Sequence, residues 1–257
     1  MNVALYARSR SESAWTLTEQ AVRAEARTTE GVAIGASVMR WDGDRLVVDI
    51  DERTPLGRRV RGKVVLTPET QSELELTLDP RSEHRWWPVA PRARIEVDMP
   101  ELGVRFAGHG YHDANAGDVS LDASFRSWSW ARGRAQDASL ITYDVTLTDS
   151  SHKSLALAIP SRGEVTHLAS IEAVSLGRTR WGLARVVRAE PGGTARVVRS
   201  LEDGPFYARA LVETRLEGRP ITVVHETLAA DRLRRRWVRF CTSFRMRYPR
   251  MPSRNRS

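Results

Sequence analysis

The sequence predicts an all-β protein of antiparallel sheets, arranged as barrels or sandwiches in two halves, with very little helix. Two observations support this prediction. About a dozen short runs alternate apolar and polar residues and end at turn residues, a pattern typical of strands in such folds. With 41% hydrophobic residues, the 257-residue chain can also bury a proper core.

The first half of the chain begins with a predicted strand at NVALYAR. Asp42-Gly43-Asp44 then predicts a hairpin turn between the strands VAIGASVMRW and RLVVDID, because Asp-Gly pairs favour tight turns. Further strands are expected at RRVRGKVVLTP, RARIEVDM and LGVRFAGHGY. The one segment that predicts a helix is TLTEQAVRAEART, residues 16–28, although its apolar face is narrow.

The second half repeats this pattern. Turn residues at DSSHK, Pro191-Gly192-Gly193 and Gly218-Arg219-Pro220 separate pairs of alternating runs. The strands of this half are expected at LITYDVTLT, SLALAIP, WGLARVVRA, ARVVRSLED, FYARALVETRLEG and PITVVHETL.

A polar stretch, ARGRAQDA at 131–138, is the best candidate for a boundary between the halves. We therefore predict an N-terminal β-domain at 1–132 that carries the site. A C-terminal β-domain follows at 133–247, and a basic flexible tail at 248–257.

The composition limits the classes of protein to which the chain can belong. Cys241 is the only cysteine, so the sequence holds no disulfide framework and no cysteine-based zinc cluster. The N-terminus lacks the apolar core of a signal peptide, and no apolar run approaches the roughly 18–20 residues of a membrane span. We expect a cytoplasmic protein, or one that is peripheral on the inner membrane.

The net charge of +8 comes mainly from arginine, since Lys63 and Lys153 are the only lysines. The basic residues are concentrated between Asp231 and Ser257, where aromatic residues are interleaved with them. Three interpretations of this stretch stay open. It predicts a last strand around RRWVRF followed by a solvated tail, an anchor for anionic lipid, or a nucleic-acid tail.

Familiar enzyme motifs are absent from the sequence. There is no GxGxxG after a strand, no GxxxxGK[ST], no GxSxG elbow and no HExxH, so the chemistries that depend on these motifs have no support. His109 and His112 form the one local histidine pair, but their spacing puts the two rings on opposite faces of a strand. A zinc site there would need further ligands from elsewhere in the chain.

Two segments do combine aromatic and titratable residues: RSEHRWWPVAPRARIEV and GHGYHDANAG. In the first, His84 and Trp86 share a face if the segment is extended. In the second, alternation places Tyr111 and Asp113 on one face, and the glycines indicate a bend or a close approach of the backbone. If the two faces meet, these four side chains line one cavity.

These residue types fit acid chemistry on an apolar substrate. A carboxylic acid in a dry pocket has a raised pKa and can donate a proton near neutral pH. Protonating an alkene gives a carbocation, which the faces of Trp and Tyr can stabilise, while a histidine orients water or takes the released proton. A structural interpretation also stays open, because Asp and Asn among glycines commonly cap turns and Trp before Pro is often core.

At these residues the sequence resembles the carotenoid 1,2-hydratase family, also called hydroxyneurosporene synthases. The resemblance covers nearly the whole chain, and its segments occur in the same order. They are NVALYAR, IGASVMRWDGDRLVVDIDE, VRGKVVLTPE, HRWWPVAPRARIEV, GYHDANAGDVSLDASFRSWSWARG, SLEDGPFYARALVETRLEG and VHETLAADRL.

The resemblance implies a lipocalin-like β architecture and a hydration that needs no cofactor. Water adds across the terminal C1–C2 double bond of an acyclic carotenoid such as neurosporene or lycopene. The family's His-x-Trp falls on His84 and Trp86, and its Tyr-x-Asp falls on Tyr111 and Asp113. Our hypotheses make Asp113 the proton donor, Tyr111 and Trp86 the walls that face the cation, and His84 the base or water-orienting group.

Four more residues are expected to contact the substrate: Trp87, Asn115, Trp128 and Trp130. Asp118 is expected to support the site, and His112 to point elsewhere. The expected partners are an apolar polyene and, transiently, a membrane surface, whereas nucleic acid is not expected. Members of the family that the chain resembles begin well upstream of NVALYAR. Three interpretations stay open: a first barrel left open by a missing segment, a misplaced start, or a naturally shortened protein.

Two other functions stay open on the sequence. The same β-rich cavity would suit a cyclase or isomerase of a polyene or terpenoid. It would equally suit a carotenoid- or lipid-binding protein that catalyses nothing.

Overall fold

The structure is a computed structural model that describes residues 1–7, 12–19 and 26–242. The first nine strands are β1 (Asn2–Leu5), β2 (Ala14–Leu17), β3 (Gly31–Ile34), β4 (Ser37–Asp42), β5 (Arg45–Arg53), β6 (Arg59–Thr70), β7 (Leu76–Thr77), β8 (His84–Met99) and β9 (Val104–Gly117). The next nine are β10 (Phe125–Arg134), β11 (Ala138–Leu147), β12 (His152–Pro160), β13 (Thr166–His167), β14 (Glu172–Arg178), β15 (Ala184–Ala189), β16 (Arg196–Asp203), β17 (Tyr207–Leu216) and β18 (Arg219–Leu228). The all-β prediction is confirmed.

Helix is confined to short pieces among the described residues. Two α-helices, α1 (Leu121–Ser124) and α2 (Arg236–Thr242), are accompanied by 3-10 turns at Pro100–Leu102 and Ala230–Arg234. None of the helices in this part of the chain is long and apolar enough to cross a membrane.

The chain divides into two compact units. The first comprises Met1–Ser120, Arg134–Ser139 and Ala158–Thr166, and the second comprises Leu121–Gly133, Leu140–Leu157 and the described residues from His167 onward. The main sheet of the first unit has the order β3-β4-β5-β6-β8-β7, and β9 pairs with β8. The second unit is built on the order β13-β12-β11-β10-β18-β17-β16, with β14 and β15 as a separate pair.

The first unit buries one face of its sheet. Along β6, Val60 and Leu66 are buried whereas Arg59, Arg61 and Lys63 are exposed, so the other face of this strand is solvated. Burying an aliphatic side chain of this size stabilises the fold by about 1.5–3 kcal/mol. The alternation of β6 therefore fixes which face of the sheet turns inward.

The hairpin predicted at Asp42-Gly43-Asp44 is confirmed. Asp42 pairs with Arg45, which leaves Gly43 and Asp44 as a two-residue turn. Gly43 has a φ of +62°, a conformation that glycine adopts without a steric penalty. The turn between β17 and β18 lies one residue earlier than predicted, because Arg219 is already paired in β18.

One predicted element is wrong at its start, and another is wrong altogether. The predicted helix at 16–28 does not begin at residue 16, because Thr16 and Leu17 lie in the strand β2; residues 20–25 lie outside the described residues. The predicted last strand around RRWVRF is the helix α2 instead. Short apolar runs such as these fit either period, so the pattern alone does not decide between helix and strand.

Candidate active site

The predicted site lies on the antiparallel pair of β8 and β9. Trp86 lies opposite Asn115, and His84 lies opposite Gly117, so these four positions share one face of the pair. His84 and Trp86 are both buried, whereas Arg85 between them is only half-buried. The shared face predicted for His84 and Trp86 is confirmed.

Asp113 accepts two side-chain hydrogen bonds on one oxygen. Trp86 donates its Nε1–H to Asp113 Oδ2 at 2.8 Å, and the Tyr111 hydroxyl donates to the same oxygen at 3.1 Å. The second bond confirms that Tyr111 and Asp113 share a face. Both of these bonds go to Oδ2, and neither involves Oδ1.

Two irregularities in the ladder bring Trp86 within reach of Asp113. The register shifts between Trp87 and Ala90 and again between Ala90 and Ala93, so β8 holds one extra residue at each place. Pro88 and Pro91 lie in these stretches, and proline cannot donate to the ladder. Together the two shifts change the partner of Trp86 by two residues, so that it pairs with Asn115 of β9. A change of two residues leaves the side chain of Trp86 on the same face, and its indole lies diagonally across from Asp113.

His84 is held at the start of β8 by a buried carboxylate. Asp79 Oδ2 accepts the His84 backbone N–H at 2.7 Å, and Oδ1 accepts the N–H groups of Arg81 and Glu83 at 2.9 and 3.2 Å. On the other side lies Gly117, where an added Cβ would lie 2.5 Å from His84 Nδ1. Asp79 and Gly117 thus set the position of the imidazole, although the sequence pattern did not single out Asp79.

His112 lies on the opposite face of β9, as predicted. Its ring contacts Trp41 of β4, with 6.2 Å between the ring centroids. Burial lowers the pKa of the His112 imidazole below its ordinary value, and the charge of Asp113 opposes this shift. His112 is therefore an aromatic packing partner of the far face and not a member of the group around Asp113.

The residues expected to contact the substrate fall in different places. Asn115 is exposed on the same face as Trp86, whereas Trp87 is half-buried and lies opposite Ala114 on the other face. Asp118 is exposed, and its backbone N–H donates to the Glu83 carbonyl at 2.9 Å. The part of Asn115 and Trp87 in substrate binding, and that of Asp118 in supporting the site, stay predictions.

Trp128 and Trp130 lie on β10 in the second unit. Trp128 packs edge-on against Phe125 and Tyr143, with centroid distances of 6.1 and 6.2 Å. Trp130 lies opposite Glu226 of β18. A role of these two tryptophans in binding a substrate also stays a prediction.

The second unit buries a serine–histidine pair that the sequence did not indicate. His225 Nε2 lies 2.9 Å from Ser129 Oγ and 2.8 Å from the Val186 carbonyl oxygen, to which Ser129 also donates at 2.6 Å. Because a carbonyl only accepts, Nε2 must carry a hydrogen and cannot take the serine proton. Burial lowers the pKa of His225 to about 4, so the imidazole is neutral and the group acts as a structural link between β10, β15 and β18.

A cavity of about 910 Å3 lies in the first unit, on strands β5, β6, β8 and β9. Its lining includes Asp49, Lys63, Asp98 and Arg105, and none of the predicted catalytic residues. Lys63 lies 3.5 Å from Asp49, and Arg105 lies 2.6 Å from Asp98. Beside these charged pairs the lining carries apolar side chains, among them Ile50, Val65 and Phe106. Within residues 1–7, 12–19 and 26–242, no three metal-ligating side chains cluster.

Comparison with known families gives a match along the whole chain. The family described as carotenoid hydratase CrtC matches residues 1–257. The acyclic carotenoid 1,2-hydratase of Thiocapsa roseopersicina is 41% identical over 248 residues, which cover 96% of this chain and 61% of that protein. The acyclic carotenoid 1,2-hydratase of Cereibacter sphaeroides is 38% identical over 236 residues, which cover 91% of this chain and 83% of that protein.

The chain thus spans about three fifths of the length of the Thiocapsa relative. Among solved structures, a protein from Nitrosomonas europaea assigned as AttH matches with a TM-score of 0.54 and 12% identity, over 85% of this chain and 76% of that one. At this identity the likeness concerns the fold alone, and it agrees with the lipocalin-like β architecture expected from the sequence.

Proposed function

Because this chain belongs to the carotenoid hydratase CrtC family, we propose that it adds water across the terminal C1–C2 double bond of an acyclic carotenoid. The single observation that supports the site is the convergence of Trp86 and Tyr111 on one oxygen of Asp113. Relatives that are 41% and 38% identical are named acyclic carotenoid 1,2-hydratases, and neurosporene and lycopene are the substrates to test.

In the proposed first step, the protonated carboxyl of Asp113 transfers its proton from Oδ1 to C2 of the terminal alkene. The π electrons of C1–C2 form the new C2–H bond, and the positive charge stays on the tertiary carbon C1. The two donors on Oδ2 remain bonded to the carboxylate that is left behind. Hydrogen bonds to an ionised acceptor are stronger, so both stabilise the transition state more than the ground state.

In the second step, water attacks C1 and loses a proton, and the product is a tertiary alcohol. His84, on the same face as Trp86, orients this water or takes the released proton, which then returns to Asp113. Tyr111 is half-buried, so its ring is the wall that faces the cation. Trp86 is fully buried and donates to Asp113, so in place of the cation-facing wall expected from the sequence it holds the carboxyl.

The proposed reaction needs neither cofactor nor metal, because the carboxyl supplies the proton and water supplies the oxygen. A polyene partitions into a bilayer, since burying each CH₂ group contributes about 0.8 kcal/mol. We therefore place the working protein in the cytoplasm, at the surface of the inner membrane.

The test incubates the purified chain with lycopene or neurosporene in detergent micelles, in ¹⁸O-labelled water and with no additive except EDTA. The expected product is a 1-hydroxy carotenoid that carries one labelled oxygen. An altered carbon skeleton without label would replace the proposal by a cyclase or isomerase. Bound but unchanged polyene would replace it by a binding protein.

A further inference from the structure

The C-terminal end of the described chain carries a compact surface of arginine and aromatic side chains. We call it the arginine–aromatic surface and define it by six exposed residues: Arg234, Arg235, Arg236, Trp237, Arg239 and Phe240. It belongs to the second unit and consists of α2 and the turn before it. No role in the proposed chemistry accounts for it.

The helix α2 presents its aromatic residues outward. Val238 is fully buried and fixes the inner side of the helix, while Phe240 is 71% exposed and Trp237 is 47% exposed. Their i, i+3 spacing places the two aromatic side chains next to each other on the helix surface. Trp237 is also stacked on Trp181, with 6.1 Å between the ring centroids, which anchors the helix against the unit.

The positive charge around these aromatic residues is mostly uncompensated. Arg234 is paired with Asp122 at 3.6 Å, and Arg239 donates to the Leu233 carbonyl. Among the described residues Arg235, Arg236 and Arg239 form no ion pair with a carboxylate. From Arg232 to Ser257 the sequence contains ten arginines and neither Asp nor Glu, so the formal charge of this stretch is positive.

We propose that the arginine–aromatic surface docks the protein on an anionic lipid bilayer. Exposed Trp and Phe side chains enter the headgroup region of a bilayer, and arginine beside them pairs with anionic headgroups. The surface projects an apolar centre flanked by guanidinium groups, which is the arrangement of an interfacial helix and not of a base-reading element. The inference deepens the proposed function, since a polyene substrate would be drawn from that bilayer.

The experiment measures co-sedimentation of the full chain with vesicles of phosphatidylcholine, with or without 30 mol% phosphatidylglycerol. We expect binding to the anionic vesicles, weak binding to the neutral ones, and loss of binding at high salt. Arg235→Gln/Arg236→Gln should lower the partition coefficient about 25-fold, at about fivefold for each arginine. Phe240→Ser should lower it at least fivefold.

Matched controls come from elsewhere on the surface. Phe106→Ser removes another exposed phenylalanine, and Arg45→Gln/Arg196→Gln removes two other exposed arginines. These controls should bind vesicles as the wild type does, and circular dichroism should show that all variants are folded. Equal losses in the control and test variants would overturn the proposal, because charge or hydrophobicity anywhere on the chain would then suffice.

Two further outcomes separate this proposal from the others. If the arginines but not Phe240 matter, and single-stranded RNA competes fully for binding, the surface binds nucleic acid and the lipid proposal is wrong. In the test variants, the rate of hydration of substrate in detergent micelles should equal that of the wild type. The rate should fall only when the substrate is embedded in vesicles. A wild type that binds anionic vesicles but hydrates nothing in micelles would overturn the proposed function and leave the docking surface standing.

Discussion

Trp86 and Asp113, 27 residues apart in the sequence, form a diagonal cross-strand pair in which the indole Nε1–H donates to Asp113 Oδ2 at 2.8 Å. The donor is fully buried, so its position is set by the packing around β8. Tyr111 supplies a second donor to the same oxygen from the strand of Asp113 itself. The two bonds thereby orient the Asp113 carboxyl.

Trp86→Phe should slow hydration about 10- to 100-fold, because it removes one hydrogen bond to a group that becomes charged during the reaction. The measurement is the initial rate in micelles, alongside the urea midpoint of unfolding. Trp41→Phe is the matched control, since Trp41 is half-buried and contacts His112 on the far face of β9. A Trp41→Phe loss as large as that of Trp86→Phe would contradict the role given to the indole.

Gly117→Ala should displace the His84 ring, because the new Cβ would lie 2.5 Å from Nδ1 and 2.8 Å from Cε1. We expect reduced stability, by about 1–3 kcal/mol, and a lower hydration rate. Gly108→Ala is the control on the same strand, since nothing lies within 4 Å of a Cβ there. Urea unfolding of both variants checks the contrast, and equal stability of the two would show that His84 is not held by this contact.

His225 should make the stability of the protein depend on pH. Its pKa is about 4 in the folded protein and about 6.5 when unfolded, so below pH 6.5 the unfolded chain binds a proton that the folded one does not. Stability is then fully present above pH 6.5 and falls as the pH drops toward 4, by about 3 kcal/mol. His225→Gln should flatten this part of the curve, whereas the exposed His167→Gln should leave it as in the wild type. A wild-type free energy of unfolding that is constant from pH 7 to pH 4.5 would refute the assignment.

Alternation along single strands made part of the site predictable. It placed His84 with Trp86 and Tyr111 with Asp113, and both pairings occur. The meeting of the two strands was not predictable from alternation alone. It depends on two one-residue shifts of register in β8. The apolar pattern of a single strand does not show how that strand is aligned with its neighbour, so these shifts could not be predicted from it.

The C-terminal segment shows a second limit of prediction from sequence patterns: the choice between helix and strand. RRWVRF alternates weakly enough to fit a strand, yet it forms α2 after a 3-10 turn, with only Val238 turned inward. Arginine is a good helix former. A single buried residue does not distinguish the repeat of a helix from that of a strand, so the pattern fits both. The role of Asp79 could not be predicted for a different reason. Its carboxylate accepts backbone N–H groups, and the sequence does not show which backbone groups lie near a side chain.

In the proposed mechanism Asp113 delivers the proton to the terminal alkene. The most direct measurement is the rate at which Asp113→Asn forms 1-hydroxy carotenoid in ¹⁸O-labelled water, beside the wild type and the acid-to-amide control Asp98→Asn. An amide still accepts the bonds from Trp86 and Tyr111 but cannot donate a carboxylic proton. We expect a folded Asp113→Asn variant with no detectable labelled product, and an Asp98→Asn variant as fast as the wild type. Labelled product at the wild-type rate from Asp113→Asn would show that Asp113 is not the proton donor.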